Sequence, residues 1–406
     1  MAFMNWHSLR RRYKTTDTPP GQQRSTPAGS RFDNLKEISG LFLKLGTIGF
    51  GGPVAHIAMM EDEVVAKRKW MSRDFFMDLL GAINLIPGPN STQMAIMCGY
   101  YRAGWVGLIT GGVCFILPAV IITGFLAFLY VRFGSLPQIG PFLYGIKSAV
   151  IAIILGAIYR LGQKALKNWQ LGLVGLAVVI ATRKGLSPVT AILSAGILGM
   201  IWLNLGKILR DRRPAVFLPI VLLLAAPVAT RNVSLMKLFL IFLKVGSILF
   251  GSGYVLIAYL DNDLVNRLGW LTRPELLNAI AIGQFTPGPV LSTATFIGYQ
   301  IQGVWGAVAA TAGIFLPSFL LVLILYPIIP KLRKSSWTAA FLDAVNIGAV
   351  GIMLAVTIKL GQEVLTDWKT WTIAIISAAI VFGFKKSNAA LIVLLGAVLG
   401  FLLSKM

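Results

Sequence analysis

The chain reads Pro87-Gly88-Pro89-Asn90-Ser91-Thr92 in its first half and Pro287-Gly288-Pro289-Val290-Leu291-Ser292-Thr293 in its second half. Both copies lie inside long apolar sequence. A Pro-Gly-Pro stretch stops a helix, because proline has no N–H to donate and its ring clashes with the preceding turn. Broken backbone at membrane depth is tolerated only where protein buries it or where it lines a polar cavity. The two breaks are therefore our first candidates for a functional site.

The composition predicts a protein that crosses a membrane several times. Of 406 residues, 56% are hydrophobic and only 13% are charged, whereas a soluble domain is about 25% charged. Uncharged runs such as 104–131, 185–206 and 303–330 reach or exceed the roughly 20 residues that span a bilayer. We therefore predict an all-α polytopic membrane protein.

The charge of the chain is strongly positive, with 37 Lys and Arg against 15 Asp and Glu, or +22. Positive-inside bias and contact with lipid headgroups account for most of it, and attraction of an anionic substrate adds to it. The basic residues lie in short loops between apolar runs, which argues against nucleic-acid binding. Cys98 and Cys114 fall in apolar segments without metal-ligand spacing and are typical of small core residues.

The chain repeats itself, and Gly88 and Gly288 mark an offset of 200 residues. Residues 42–52, Phe-Leu-Lys-Leu-Gly-Thr-Ile-Gly-Phe-Gly-Gly, match residues 242–252, Phe-Leu-Lys-Val-Gly-Ser-Ile-Leu-Phe-Gly-Ser. This is duplication of a whole half rather than a short solenoid repeat. The predicted organisation is a disordered basic tail at 1–37, a first repeat at 38–206, a linker at 207–237 with one extra helix at 214–230, and a second repeat at 238–405.

Each repeat contains six predicted membrane segments, which with the extra helix give about thirteen. They lie at about 39–60, 74–100, 104–131, 142–160, 169–183 and 186–206, and again at 239–260, 274–299, 303–330, 341–359, 369–384 and 387–405. The unpaired helix reverses the second repeat, so the topology is inverted. The positive-inside rule then puts the N-terminus in the cytoplasm and the C-terminus outside. The loop at 61–73 disagrees, because it is basic and yet assigned outside. Whether the first two segments of each repeat span fully or are re-entrant stays open.

Each break is followed by a segment that can restart as a helix, with proline suited to its first position. The first N–H groups of such a half-helix have no partner within the helix and attract an anion. Hydroxyl side chains follow both breaks and can donate as well. A pair of interrupted helices at corresponding positions is the best sequence indication of a transport site. Packing kinks are the structural alternative. The substrate-binding residues predicted at the breaks are Pro87, Gly88, Pro89, Asn90, Ser91, Thr92, Pro287, Gly288, Pro289, Ser292 and Thr293.

Three further sets of matched residues join this prediction, each with a structural alternative. The glycine clusters either let helices approach closely or break the first helix of each half. The lysines inside apolar segments either reach the interface or balance an anion. The polar residues just before the breaks either contact substrate or satisfy freed backbone. These sets are Phe50, Gly51, Gly52, Phe250 and Gly251; Lys44 and Lys244; and Asn84 and Gln284.

The sequence shows no metal-ligand spacing, no phosphate-binding loop and no nucleophile–base pairing. We therefore predict no catalytic residues, no metal and no cofactor, and we do not expect an enzyme.

Residues 50–53 (Phe-Gly-Gly-Pro), the loop at 61–70 and residues 85–89 (Leu-Ile-Pro-Gly-Pro), with their second copies, resemble the chromate transporter (CHR) family in its long-chain, two-domain type. The resemblance covers about 38–405. It implies export across the inner membrane of chromate, a divalent tetrahedral oxyanion for which sulfate is an isostere. The second copy departs from the first at Ser252 and Gly253, where the first copy has Gly52 and Pro53, so the halves are expected to contribute unequally. The family's recurrent positions fall on Phe50, Gly51, Gly52, Pro87, Gly88 and Pro89, and on Phe250, Gly251, Pro287, Gly288 and Pro289.

Three functional hypotheses follow. The first is a secondary transporter in the bacterial inner membrane that exports chromate, driven by the membrane potential or by proton exchange. The second is a transporter of sulfate or another small anion. The third is a membrane scaffold without transport activity. The partners expected are an oxyanion and the lipid bilayer, and a homodimer is left open.

Overall fold

The computed structural model describes residues 31–50, 52–134, 136–204, 233–250, 253–325, 336–384 and 388–405. These residues form helices and their connections, with no strand among them. The helices of the first half are α1 Arg31–Ile48, α2 Gly52–Glu61, α3 Arg73–Ile83, α4 Asn90–Phe133, α5 Gly140–Ala165, α6 Trp169–Arg183 and α7 Pro188–Leu203. Their counterparts are α8 Leu235–Ile248, α9 Leu256–Leu260, α10 Arg273–Phe285, α11 Thr293–Leu325, α12 Ser336–Val364, α13 Trp368–Gly383 and α14 Ala389–Ser404.

The helices that run into the two breaks begin where their sequence predicts. Ser72 caps α3 by accepting a hydrogen bond from the N–H of Phe75. Thr272 and Glu275 form a capping box at α10, which satisfies two of its first N–H groups reciprocally. Serine and threonine are among the residue types that favour this position at a helix N-terminus.

Both Pro-Gly-Pro stretches interrupt a helix, as predicted. The first lies between α3 and α4 and the second between α10 and a 3-10 turn, Val290–Ser292, that leads into α11. The expectation that the second proline is the first helical residue is wrong by one position. Pro89 and Pro289 have extended backbone with ψ of 107° and 128°, so each caps the helix from outside.

The first predicted segment of each repeat is also broken, and this corrects the single spans at 39–60 and 239–260. Helix α1 ends at Ile48 and α8 at Ile248, and the chain restarts at α2 and at a 3-10 turn, Gly253–Val255. Short π-helical turns, Asp62–Lys67 and Asp261–Arg267, follow α2 and α9. The glycine clusters are therefore helix breaks. Each half places two interrupted helices one after the other.

Helix α1 begins inside the predicted basic tail, so residues 31–37 are helical. Tertiary contacts stabilise this part of the helix, because Glu37 accepts hydrogen bonds from Arg68, Arg102 and the indole of Trp70. The rest of that tail, residues 1–30, lies outside the described residues. So do the predicted extra helix at 214–230 and most of its linker.

The long helices α4 and α11 are hairpins of two arms. Gly104 and Gly303 have φ of 66° and 59° with non-helical ψ, a left-handed backbone that glycine adopts without strain. A Cβ on Gly99 would stand 2.1 Å from the carbonyl oxygen of Gly107, so the arms touch backbone to backbone. The turns fall at the predicted boundaries between the second and third segments.

Four described helical stretches are long and apolar enough to cross a membrane: Asn90–Phe133, Gly140–Ala165, Val290–Ile324 and Trp337–Val364. Helices α6, α7, α13 and α14 are shorter and equally apolar. Large apolar side chains such as Ile121, Phe125 and Trp305 are exposed on α4 and α11, as expected for surfaces that face lipid. The protein is an all-α membrane protein.

The two halves are interleaved. Helix α5 of the first half packs against α13 and α14 of the second, and α12 packs against α6 and α7 in return. Lys167 donates to Asp343 at 2.6 Å and Tyr144 donates to Asp367, at nearly corresponding places. Helices α4 and α11 pack against each other and carry the two breaks to the middle of this arrangement.

Candidate functional site

The two Pro-Gly-Pro breaks meet through reciprocal backbone hydrogen bonds between the halves. The N–H of Gly88 donates to the carbonyl oxygen of Leu249 at 2.6 Å, and the N–H of Gly288 donates to that of Gly49 at 2.8 Å. Gly288 corresponds to Gly88, and Leu249 to Gly49, at the offset of 200 residues. Such exchange is the mark of an approximate two-fold relation. Every proline break thus joins the glycine break of the opposite half.

A small cavity of about 30 Å³ lies where the four breaks converge. Its size leaves room for about one or two water molecules. The first N–H groups of α4 and of the turn before α11 have no intrahelical partner, and the helix dipole makes both ends positive. The cavity is consequently suited to negative charge. Its lining is Pro53, Gly88, Pro89, Asn90, Ser91, Gly253, Pro289, Val290 and Leu291.

His56 holds the glycine break of the first half. Its Nε2 lies 2.8 Å from the carbonyl oxygen of Gly49, the atom that also accepts from Gly288. The imidazole donates in this bond, because a carbonyl can only accept, so the ring is the Nε2–H tautomer. Its edge contacts Phe115 of α4. His56 is therefore an ordinary hydrogen-bonded histidine in this structure. It reaches the site through the Gly49 carbonyl oxygen, which it shares with Gly288.

The predicted hydroxyls are buried at the breaks, but they are engaged differently in the two halves. Ser91 lines the cavity, and Thr92 is fully buried with no partner for its Oγ1. Ser292 accepts from Thr123 at 3.1 Å. Thr293 donates to the carbonyl oxygen of Val290 at 2.8 Å. The second-half hydroxyls thus serve partly to satisfy the broken backbone.

Asn84 and Gln284 occupy corresponding positions but make different contacts. Asn84 is the C-terminal cap of α3, and its Oδ1 accepts from the side chain of Asn90 at 2.8 Å. Gln284 accepts from the hydroxyl of Tyr254 at 3.2 Å, while its Nε2 is buried without a partner. Asn84 ties the two sides of its break together, and Gln284 keeps a free donor.

The residues of the two glycine clusters are only partly described. Phe50 is exposed, whereas Phe250 is buried. Gly52 has φ of 77° and begins α2, beside the cavity-lining Pro53. Gly51 and Gly251 lie outside the described residues.

Lys44 and Lys244 pair with carboxylates and are not among the cavity-lining residues. Lys44 donates to Glu63 at 3.1 Å, and Lys244 donates to Asp263 at 2.8 Å. Both acids are buried, and the hydrogen bond from Lys44 holds the pKa of Glu63 below its usual range. Sequence reasoning did not assign these partners, although the acids share the 200-residue offset of the lysines.

The loop whose charge disagrees with the predicted topology is a network of ion pairs. Glu61 accepts from Arg73 at 2.9 Å, and Asp261 accepts from Arg273 at the same distance in the second half. Glu63 also accepts from Lys67 and Arg68. The basic residues of this loop are thus largely neutralised by acids of the same loop and of α1. Within the described chain, no group of three or more His, Cys, Asp or Glu could hold a metal ion.

Comparison with known proteins returns one family over both halves. The family model described as chromate transporter matches residues 36–200 and 236–401. No solved structure matches the chain.

Several curated proteins are similar over most of their length. The chromate transport protein of Cupriavidus metallidurans is 33% identical over 376 residues, which are 90% of this chain and 92% of that protein. The probable chromate transport protein of Synechococcus elongatus is 32% identical, over 90% of this chain and 95% of that protein. The chromate transport protein of Pseudomonas aeruginosa is 31% identical, over 89% and 90%.

Proposed function

The chain belongs to the chromate transporter family, and on that premise we propose that it is a secondary transporter that exports chromate across the bacterial inner membrane. The observation that carries the proposal is the meeting of two interrupted helices at one cavity. The first residues of both half-helices line the same space, and the first N–H groups of a helix have no partner within it. Anions bind at such ends, because the dipole and the free donors act together.

The anion binds between the two breaks, with one half-helix from each half donating to its oxygens. Ser91 and Thr92 lie at one of these half-helices and Ser292 and Thr293 at the other. The Thr293 hydroxyl already donates to Val290, so the added donors are the other three hydroxyls. Lys44 and Lys244 act from a distance, because Glu63 and Asp263 already neutralise them. The cavity of about 30 Å³ is smaller than a tetrahedral oxyanion, so binding requires the half-helices to separate.

The membrane potential is sufficient to drive export. An anion that leaves a cell with a negative interior gains about 2.3 kcal/mol per charge per 100 mV. Proton exchange is the alternative coupling.

The two repeats have opposite orientation in the membrane, with the N-terminus cytoplasmic and the C-terminus periplasmic. Rocking of one repeat against the other exposes the site to each side in turn.

The test is chromate flux in proteoliposomes of the purified full chain, first with an imposed potential and then with an imposed pH gradient. We expect flux that follows the potential and that empty liposomes do not show. Flux that follows only the pH gradient would assign the coupling to protons. Absence of flux under both gradients, in protein shown to be folded, would contradict the proposal.

Sulfate or another small anion is the second candidate substrate, because a site of backbone N–H groups binds any oxyanion of suitable size. Competition in the same vesicles separates the two. Flux of labelled sulfate that chromate does not inhibit would favour sulfate. A scaffold without transport activity predicts no flux of either anion.

A further inference from the structure

The two breaks differ in what faces their central glycine. Gly88 faces polar groups, since a Cβ there would stand 2.6 Å from Nε2 of Gln93 and 2.9 Å from the hydroxyl of Ser318. Gly288 faces the methyl group of Ala119, which would stand 2.8 Å from its Cβ. Ala119 and Ser318 both follow the proline inside their helix hairpin, so they are counterparts. The first break therefore has a hydroxyl where the second has a methyl.

The polar groups around the first break are buried and lack partners. Thr92 Oγ1, Gln93 Oε1 and Ser318 Oγ are all inaccessible and unpaired, and all three residues are fully buried. A buried polar atom without a partner costs about 1–3 kcal/mol. In contrast, Ser292 and Thr293 at the second break are both hydrogen bonded. Of these residues, Gln93 and Ser318 lie beside Gly88, which lines the cavity, and Thr92 precedes Gln93 in the chain.

The free groups at the first break include an obligate acceptor. Gln93 donates through Nε2 to the carbonyl oxygen of Pro87 at 2.7 Å. That bond fixes the amide orientation and leaves Oε1 with lone pairs only. A hydroxyl can donate to an ionised oxygen of an oxyanion, but an amide oxygen repels it. Gln93 Oε1 can pair only with a group that presents a hydrogen, and a fully ionised oxyanion has none.

From this arrangement we propose that the first break binds the oxyanion in its singly protonated form. The hydroxyls of Ser318 and Thr92 donate to ionised oxygens of the anion, and Oε1 of Gln93 accepts from its O–H group. Ser318 is thus a substrate-binding residue contributed by the second half to the first-half break. This inference rests on the proposed function, and it names the protonation state of the substrate.

A site of this kind selects chromate over sulfate. The two anions have the same shape and the same charge when fully ionised, so size and charge hardly distinguish them. Chromate takes up a proton near neutral pH, whereas sulfate does so only in strong acid. An acceptor in the site therefore favours hydrogen chromate and is left unpaired with sulfate, which weakens sulfate binding.

The first test is chromate binding to the purified full chain in nanodiscs, titrated at several pH values on both sides of the pKa of hydrogen chromate. At pH values higher than that pKa, the fraction of protonated chromate falls. We expect the apparent dissociation constant for total chromate to rise in proportion to this loss. Sulfate, a dianion throughout the range, reports titration of the protein itself. The pH dependence of sulfate binding is subtracted from that of chromate binding. A chromate dissociation constant that then stays unchanged or falls as the pH rises would overturn the proposal.

The second test is Ser318→Ala with Ser377→Ala as the matched control. Ser377 is also a fully buried serine with an unpaired hydroxyl, but it lies on α13 and is not among the groups that face Gly88. S318A should weaken chromate binding about tenfold, because a hydrogen bond to a charged group is lost, while S377A should not. If S318A lowers the Tm and leaves the dissociation constant unchanged, a buried water satisfies Ser318 and the proposal is wrong. Wild-type protein that binds no chromate at any pH would contradict the proposed function instead.

Discussion

At the scale of single residues, the site depends on two glycines that no other residue can replace. Gly88 and Gly288 have φ of 125° and 89°, in the left-handed region that disfavours side chains. Each also touches the opposite half. Backbone geometry at these positions therefore fixes both the direction of the half-helices and the contact between the repeats.

Gly88→Ala should abolish or strongly reduce chromate flux. The substitution strains the backbone by about 1–3 kcal/mol, and its Cβ would meet the Gln93 amide at 2.6 Å. Gly361→Ala on α12 is the control, because nothing lies within 4 Å of its Cβ position. The measurement is flux per folded protein in proteoliposomes. Normal flux in G88A would show that the Gly88 conformation is not required.

The hydroxyls that follow the first break give a second prediction at this scale. Ser91→Ala with Thr92→Ala should raise the half-saturating chromate concentration about tenfold, because donors to a charged ligand are removed. Ser404→Ala serves as control, since its hydroxyl is exposed and bonds to the carbonyl oxygen of Phe401. Unchanged transport in the correctly inserted double variant would exclude these hydroxyls from the site.

At the scale of elements, each half packs a broken helix against a charged loop. The pairs Lys44–Glu63 and Lys244–Asp263 tie α1 and α8 to the π-helical turns that follow α2 and α9. The first pair is half exposed, with 54% of the Lys44 side chain accessible, whereas only 18% of Lys244 is. The two lysines are therefore structurally unequal despite their matched positions.

Lys244→Met should destabilise the protein more than Lys44→Met does. Asp263 would keep a hydrogen bond from Asn262 but no cation closer than Arg267 at 3.8 Å, and a buried charge that loses its ionic partner costs about 3–5 kcal/mol. Glu63 would keep Lys67 and Arg68, so K44M should cost no more than about 1 kcal/mol.

Two quantities are measured for each variant in detergent: the Tm and the dissociation constant for chromate. A dissociation constant that rises in both variants at unchanged Tm would instead assign the lysines to attraction of the anion.

At the scale of the whole molecule, the halves are not separable domains. Helices α5 and α12 each pack against the last two helices of the opposite half, and side-chain hydrogen bonds join the halves, among them Lys167–Asp343, Tyr144–Asp367 and Thr123–Ser292. Each half therefore completes the packing of the other. The site at the centre exists only when both halves are present.

Chains 1–232 and 233–406, produced together with an affinity tag on one of them, should purify as a complex that transports chromate. The expected cause is the apolar surface that each half buries in the other. Asp343→Ala with Asp367→Ala removes the hydrogen bonds from Lys167 and Tyr144 and should lower recovery of the untagged half. Folded halves that elute separately would contradict the interleaved packing.

The sequence by itself determined much of this molecule. Its apolar runs predicted an all-α membrane protein, its 200-residue offset predicted two repeats, and Pro-Gly-Pro predicted the helix breaks near Gly88 and Gly288. These features depend on local chemistry, because two prolines around a glycine stop a helix, whereas the single Pro118 is tolerated inside α4. The caps at Ser72 and Thr272 were predictable for the same reason.

Only the tertiary structure decided which groups meet. The bond from Gly88 to Leu249, the carboxylate partners of Lys44 and Lys244, and the approach of Ser318 to the first break join residues distant in sequence. Their common signal in the sequence was the repeat, which relates positions but does not say that they touch. Contacts of this kind arise from the packing of whole helices. A single amino-acid sequence does not show directly which helix packs against which.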